Sequence, residues 1–262
     1  MNKTSEKSHQ DTIVEQFSQQ AIPFAQVPGH FDAMQILIEL SEVRKDDTVL
    51  DVACGPGIVT CEFAKHAGHV TGVDITPAMI EQAKKRQQEH NLENLSWKVC
   101  DAVPLPFADN SFSLVITRYS FHHLLAPGEA LSEMIRVCKP GGRVMVADVA
   151  MESSKSEAYD HLEIMRDPSH THALTQEEFA ELFLKSGLVD SRQSAYGVDI
   201  ELEAQLRASF PKPGDEDIIR EMVTGDIKNN SFGINARKIA DKVNYTVPIA
   251  VYVGKNIEPV TD

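Results

Sequence analysis

The stretch that most limits what this chain can fold into is Thr48-Val49-Leu50-Asp51-Val52-Ala53-Cys54-Gly55-Pro56-Gly57-Ile58-Val59-Thr60. An apolar run closes on an acid, passes through a glycine-bearing loop and continues as an apolar periodic segment. Val49, Leu50 and Val52 read as a buried parallel strand. Gly55 and Gly57 allow a sharp turn and let a ligand approach the backbone closely. From Ile58 to His66 the pattern is helical, with Val59, Phe63 and Ala64 on one side. Strand, glycine loop and helix in this order open nucleotide-binding α/β units.

A βα turn that merely happens to use glycine would look the same in isolation. The next strand, His69 to Asp74, separates the two readings because it also ends in an acid. A carboxylate there accepts hydrogen bonds from both ribose hydroxyls of an adenosine lying over the loop. The dinucleotide fingerprint wants glycine or alanine in its third place, where this chain has Thr60, and no Walker lysine follows the loop. Asp51, just before the loop, would repel a pyrophosphate but take a cationic amino group, directly or through water. A ligand with adenosine at one end and an amino acid at the other satisfies both acids: S-adenosylmethionine, leaving as S-adenosylhomocysteine.

Asp51-x-Ala53-x-Gly55-x-Gly57 resembles motif I of the class I S-adenosylmethionine-dependent methyltransferases, with Ala53 where glycine is usual. From Asp46 to Val149 the chain, including "DAVPLPFADNSFSLVITRYSFHHL" and "RVCKPGGRVMVAD", resembles the small-molecule enzymes of the methyltransferase type 11, or ubiquinone/menaquinone, group. The resemblance implies an α/β fold: a doubly wound, Rossmann-like sheet of seven strands, mostly parallel with an antiparallel last strand, plus helical cap insertions. It also implies that Ile75 and Met79 sit by the adenine and ribose, although a plain core role suits Met79 equally well. Asp101, ending a third strand that starts at Leu95, would accept the adenine amine, with the N–H of Ala102 serving a ring nitrogen. A strand-terminal turn Asp is the plainer alternative. Thr117, ending the fourth strand, completes the cofactor-binding set.

Length and composition agree with one large α/β domain or one domain with a small cap: 262 residues, 42% hydrophobic, net charge −14. The acidic balance argues against a nucleic-acid substrate and against an anionic membrane surface. The absence of an Asn/Asp-Pro-Pro-aromatic motif at Thr117–Ser120 also argues against nucleic-acid methylation. Cys54, Cys61, Cys100 and Cys138 have no C-x-x-C spacing and read as small buried residues in a reducing compartment. With no long apolar run and no leader-like start, the expectation is a cytoplasmic enzyme without a membrane span.

Read in order, residues 1–10 look disordered. Ile13, Val14 and Phe17 make a helical stripe from Asp11 to about Gln20, either packed on the edge of the fold or serving as a lid with Phe17 and Phe24 toward the cofactor. A second helix spans Phe31 to Glu42. Thr76 caps a helix with Pro77 first. A strand at 113–117 leads into Arg118–Leu124, a helix to Cys138 and a fifth strand at 143–148. Met151 to His172 is polar; Thr175 and Glu178 form a capping box before a helix to Gly187. A strand at 188–196, helices at 200–209 and 217–227, and a last strand at 247–253 beside the fifth complete the chain. In domain terms, 1–44 are lid and packing helices, 45–196 with 247–262 the core, and 150–174 with 197–246 a cap on the acceptor side.

Because a sulfonium methyl is already activated, orientation and exclusion of water supply most of the rate. A base helps where the acceptor must lose a proton, and histidine suits that work. His122 and His123 follow the fourth strand. His170 belongs to the unusual run Arg166-Asp167-Pro168-Ser169-His170, although a solvated loop is the plainer account of it. A metal held by His122, His123, His170 and His172 ranks well below, with no helical i, i+4 pair and no assisting cysteines. The reading is methyl transfer to a small, uncharged or aromatic acceptor. Quinone or polyphenol carbon methylation is one subclass, although the fuller N-terminal signature of the quinone enzymes is not evident in residues 11–40. An NAD-type oxidoreductase and a non-catalytic cofactor-binding protein are the alternatives. The sequence does not name the acceptor, the atom methylated or the oligomeric state.

Overall fold

In the computed structural model, which describes residues 7–23 and 33–257, the glycine-loop unit lies at the centre of a mixed sheet. Strands β1 (Thr48–Val52), β2 (His69–Asp74), β3 (Leu95–Val99), β4 (Phe112–Arg118) and β5 (Cys138–Val149) are followed by β6 (Val189–Glu201), β7 (Arg237–Ile239) and β8 (Lys242–Lys255). The order is β3-β2-β1-β4-β5-β8-β6, with β7 paired to β8. β1 lies parallel between β2 and β4, Leu50 facing Thr71 on one side and Val115 on the other. β8 runs antiparallel to both β5 and β6. The strand order reverses between β1 and β4, and in such sheets the crevice beyond the carboxyl ends at this point takes the ligand.

Helices cover both faces. Alternate strand residues serve two cores: Val49, Leu114 and Ile116 pack with Leu37 and Phe63 on one face. Leu50, Val52 and Val115 pack with Leu131 and Met134 on the other. The helices that matter for the site are α1 (His9–Gln20), α2 (Met34–Ser41), α3 (Ile58–Ala64), α4 (Pro77–Glu89) and α5 (Pro127–Val137). They are followed by α6 (Ser156–Arg166), α7 (Gln176–Lys185), α8 (Leu202–Ser209) and α9 (Asp215–Asp226).

Several boundaries depart from the sequence reading. α1 begins at His9, inside the stretch expected to be disordered, because Ser8 and Asp11 form a reciprocal capping box. Phe24 and Phe31 lie outside the described residues. Thr76 does not cap α4 with its side chain; its backbone N–H instead goes to Asp74 Oδ1 at 2.8 Å. The polar stretch after Met151 holds α6, whose apolar face was masked because Glu163 is buried on it, paired with Arg166 at 2.5 Å. β6 continues past Tyr196, and Gly197 to Glu201 pair with Asn244 to Pro248, so α8 starts only at Leu202. β5 starts early, at Cys138, with a register shift after Phe112. β8 starts at Lys242, where Tyr245, Val247 and Ile249 extend the inward alternation, and β7 closes a hairpin onto it.

Candidate active site

Beyond the carboxyl ends of β1, β2 and β4 lies a cavity of about 320 Å³. Ala53, Cys54 and Gly55 form its floor. Ala53 sits at φ +54°, in the left-handed region that costs an L-residue ~1–2 kcal/mol and glycine almost nothing. That strain is the physical reason for glycine being usual at this place. Gly55 has φ +52°, and a Cβ built there meets no protein atom within 4 Å, so a side chain would project into open space. Gly57 does a different job. It does not line the cavity; a Cβ there would sit 2.9 Å from both Ala83 Cβ and Trp97 Cη2, so this glycine lets the loop pack on α4 and β3.

Asp74 closes the loop from the second strand. The N–H of Gly55 donates to its Oδ2 at 2.9 Å and the N–H of Thr76 to its Oδ1. Burial raises its pKa against these two backbone hydrogen bonds. Each oxygen keeps further lone-pair capacity, and the residue lines the cavity together with Ile75 and Met79. Asp101 and Ala102 line the same wall, and Gln10 of α1 donates to Asp101 Oδ2. Phe17 of α1 also lines the cavity, its ring edge-on to His123 with centroids 4.9 Å apart. Five sequence-derived residues that end or follow β2 and β3, Asp74, Ile75, Met79, Asp101 and Ala102, thus meet Ala53, Gly55 and Phe17 on one cavity.

Asp51 and Thr117 do not reach it. Asp51 is 1% exposed and accepts a 2.5 Å hydrogen bond from Thr60 Oγ1. Burial above all raises its pKa to about 7. Thr117 donates to Val52 O at 2.7 Å and pairs with Ser120 Oγ. Both stand behind the loop and support its backbone.

The histidines divide likewise. His123 lines the cavity; His122 and His170 do not. His122 Nδ1 is 2.5 Å from Asp148 Oδ1, while Asp148 Oδ2 accepts the N–H groups of Ser120 and Phe121. Burial would lower the pKa of His122, but Asp148 outweighs it and the net shift is upward. His123 is driven the other way, to about 3, by burial first and then by His122. Its Nδ1 is 3.1 Å from both the carbonyl oxygen and the hydroxyl of Ser169. His170 Nε2 is 2.7 Å from Asp160 Oδ1, and its buried Nδ1 has no hydrogen-bond partner among the described residues. Among the described residues no His/Cys/Asp/Glu group is arranged to hold a metal.

Sequence reasoning missed Arg118 and Tyr119, which line the cavity beside Ser120. The Arg118 guanidinium lies 4.3 Å from the Tyr119 ring, and Tyr119 Oη is 2.9 Å from Tyr196 Oη. Their position just past the strand flanking the switch point was the available signal. His9 was missed too; its Nε2 is 2.8 Å from the carbonyl oxygen of His123. Among the described residues none beyond Glu129 lines the cavity. The expected cap segment 150–174 therefore does not line it, but touches lining residues from behind: Ser169 meets His123, and the Thr171 hydroxyl donates to the carbonyl oxygen of Leu124.

This strand order, with an acid-flanked glycine loop at the reversal, defines the class I methyltransferase architecture. The chain belongs to the methyltransferase-domain family, whose model matches residues 43–187, and is an S-adenosylmethionine-dependent methyltransferase. It is 29% identical over 190 residues to the uncharacterized methyltransferase YcgJ of Bacillus subtilis, covering 71% of this chain and 75% of that protein. It is 42% identical over 108 residues to the ubiquinone/menaquinone biosynthesis C-methyltransferase UbiE of a Ruegeria species, covering 40% of this chain and 43% of that protein. In fold it resembles the crystal structure of YcgJ, with TM-score 0.78 and 24% identity over 86% of this chain and 98% of that one. It also resembles a Haemonchus contortus phosphoethanolamine N-methyltransferase solved with phosphomonomethylethanolamine and S-adenosylhomocysteine, with TM-score 0.69 and 18% identity over 96% of this chain and 60% of that one. No helix among the described residues is long and apolar enough to cross a membrane.

Proposed function

We propose that the cavity binds S-adenosylmethionine and that the protein transfers its methyl group to a small acceptor of aromatic or apolar character. The observation that carries this reading is the pairing of Gly55, open to the cavity with no room-filling Cβ, with the Asp74 carboxylate held beside it. A nucleoside fits that cradle: Asp74 accepts from the ribose hydroxyls, Ile75 and Met79 pack on the base, and Asp101 with the N–H of Ala102 reads the adenine edge. Arg118 lines the cavity, and its guanidinium suits the ligand's carboxylate. Asp51 acts behind the loop, through its hold on Thr60.

Bound there, S-adenosylmethionine supplies an activated methyl on a positive sulfur. The chain's own task is to orient the acceptor and keep water out. Ile13, Phe17, Leu124 and Leu125 offer an apolar wall, and His123 is the polar group among them. α1 acts as the lid, with residues 150–174 supporting the acceptor side from behind through Ser169. His122 and His170 position the acceptor side. The charge of −14 and the small cavity favour a small-molecule acceptor over nucleic acid, in a cytoplasmic setting.

A quinone or polyphenol carbon acceptor is the second reading, favoured by the likeness to UbiE over the core. Incubating the protein with S-adenosylmethionine and a panel of phenols, quinols and amines, followed by mass spectrometry, tests both. Methylated product is expected from at least one acceptor class. Tight binding of S-adenosylhomocysteine with no methylated product from any of them would favour a cofactor-binding protein instead.

A further inference from the structure

His123 is held from behind by a chain of three buried groups. Asp167 Oδ1 accepts the N–H of Ser169 at 2.9 Å and its hydroxyl at 2.5 Å. Asp167 Oδ2 accepts from Gln20 Nε2 of α1 at 2.9 Å. Asp167 is 1% exposed, and Arg166 and these donors hold its pKa below the usual range in spite of burial. It is therefore an anion that only accepts.

This fixes where each proton lies. The single hydroxyl proton of Ser169 goes to the carboxylate, so the Ser169 oxygen facing His123 Nδ1 can only accept. The Ser169 carbonyl, at the same 3.1 Å, can only accept as well. Two acceptors against one ring nitrogen require that nitrogen to carry the hydrogen. Nε2 is then bare, and no hydrogen-bond partner holds it among the described residues.

We infer that Asp167, acting through Ser169, locks His123 in the Nδ1–H tautomer, so that the group presented to the acceptor is a hydrogen-bond-accepting nitrogen and the acceptor bears an O–H or N–H donor. Asp167 and Ser169 are positioning residues. Gln20 makes the lid part of the same unit, because α1 also touches the His123 carbonyl through His9 and its ring through Phe17. The burial and the neighbouring His122 and His170 that push His123 to about 3 keep the ring neutral. It orients a donor and does not store a proton.

The substrate class rests on the methyltransferase reading above; the tautomer does not. Nitrogen-15 NMR of histidine-labelled protein, with His123 assigned by the loss of its signals in His123→Gln, reads the tautomer directly. A protonated Nδ1 and bare Nε2 are expected; a protonated Nε2 overturns the inference. In Asp167→Asn, or in Ser169→Ala if that variant folds better, a second His123 tautomer signal is expected, and an unchanged spectrum in both removes their positioning role. With saturating S-adenosylhomocysteine present, phenol should move the Nε2 resonance and anisole, which has no donor, should not. Equal effects overturn the substrate class. Calorimetry with S-adenosylhomocysteine alone tells that failure apart from a failure of the cofactor reading.

Discussion

The N–H of Gly55 donates to Asp74 Oδ2 across 2.9 Å, so the loop after the first strand is fastened to the acid that ends the second. One carboxylate thereby shapes the cradle and faces the ligand. Replacing Asp74 with alanine removes charge-assisted hydrogen bonds worth ~1.5–3 kcal/mol, and S-adenosylhomocysteine should bind roughly 10–150-fold more weakly. Unchanged affinity by calorimetry would refute the ribose assignment.

Gly55 and Gly57 should respond differently to alanine. At Gly57 the new methyl meets Ala83 and Trp97 at 2.9 Å in a backbone held at φ +75°, so overpacking should cost about 1–3 kcal/mol of folding stability. At Gly55 the methyl enters open space, so the loss should fall on ligand affinity, about tenfold or more, with a smaller backbone cost of ~1–2 kcal/mol. Denaturation and calorimetry on both variants separate the two effects; equal losses in both assays would contradict the division.

Asp51 gives the ligand-free protein a definite pH dependence. Its folded pKa of about 7 lies above the ordinary carboxylate value, so the folded state holds the proton more tightly than the unfolded chain. The stability this lends is complete below pH ~4 and is lost as pH rises through about 7. Asp51→Asn should flatten that window and raise stability at pH 8 by a few kcal/mol, on the order of 3. Urea titrations of both proteins between pH 4 and 8 test this, and parallel curves would show that Asp51 is ionised throughout.

The paired histidines should separate by assay. His122→Ala leaves the buried Asp148 without its ring partner, which costs about 3 kcal/mol of stability. His123→Ala lines the cavity with a smaller side chain and should lower turnover with S-adenosylhomocysteine affinity nearly intact. Melting curves and single-turnover methyl transfer distinguish them. Full turnover in the His123 variant would exclude it from the acceptor site.

The cradle was legible because its chemistry sits at strand ends. Asp51 and Asp74 each fall at the end of an apolar run and Asp101 at the end of an alternating one, and a parallel sheet carries all three to one edge. What the spacing did not show is which of them faces inward. Asp51 precedes the loop by enough residues to end beneath it, where Thr60 takes it up. α6 was illegible because Glu163, buried with Arg166, disguises its inner face. The ends of β6 and β8 were illegible because a long antiparallel pair supports polar residues such as Asp199 and Asn244 as readily as apolar ones. The role of Ser169 depends on a contact with His123 across 46 positions, and no local pattern announces it.

The most direct test is calorimetric titration with S-adenosylhomocysteine, with NAD in a parallel cell. Binding of S-adenosylhomocysteine alone, in about the micromolar range, is the predicted result. Binding of NAD alone would contradict the account and make Asp74 the ribose ligand of a dinucleotide.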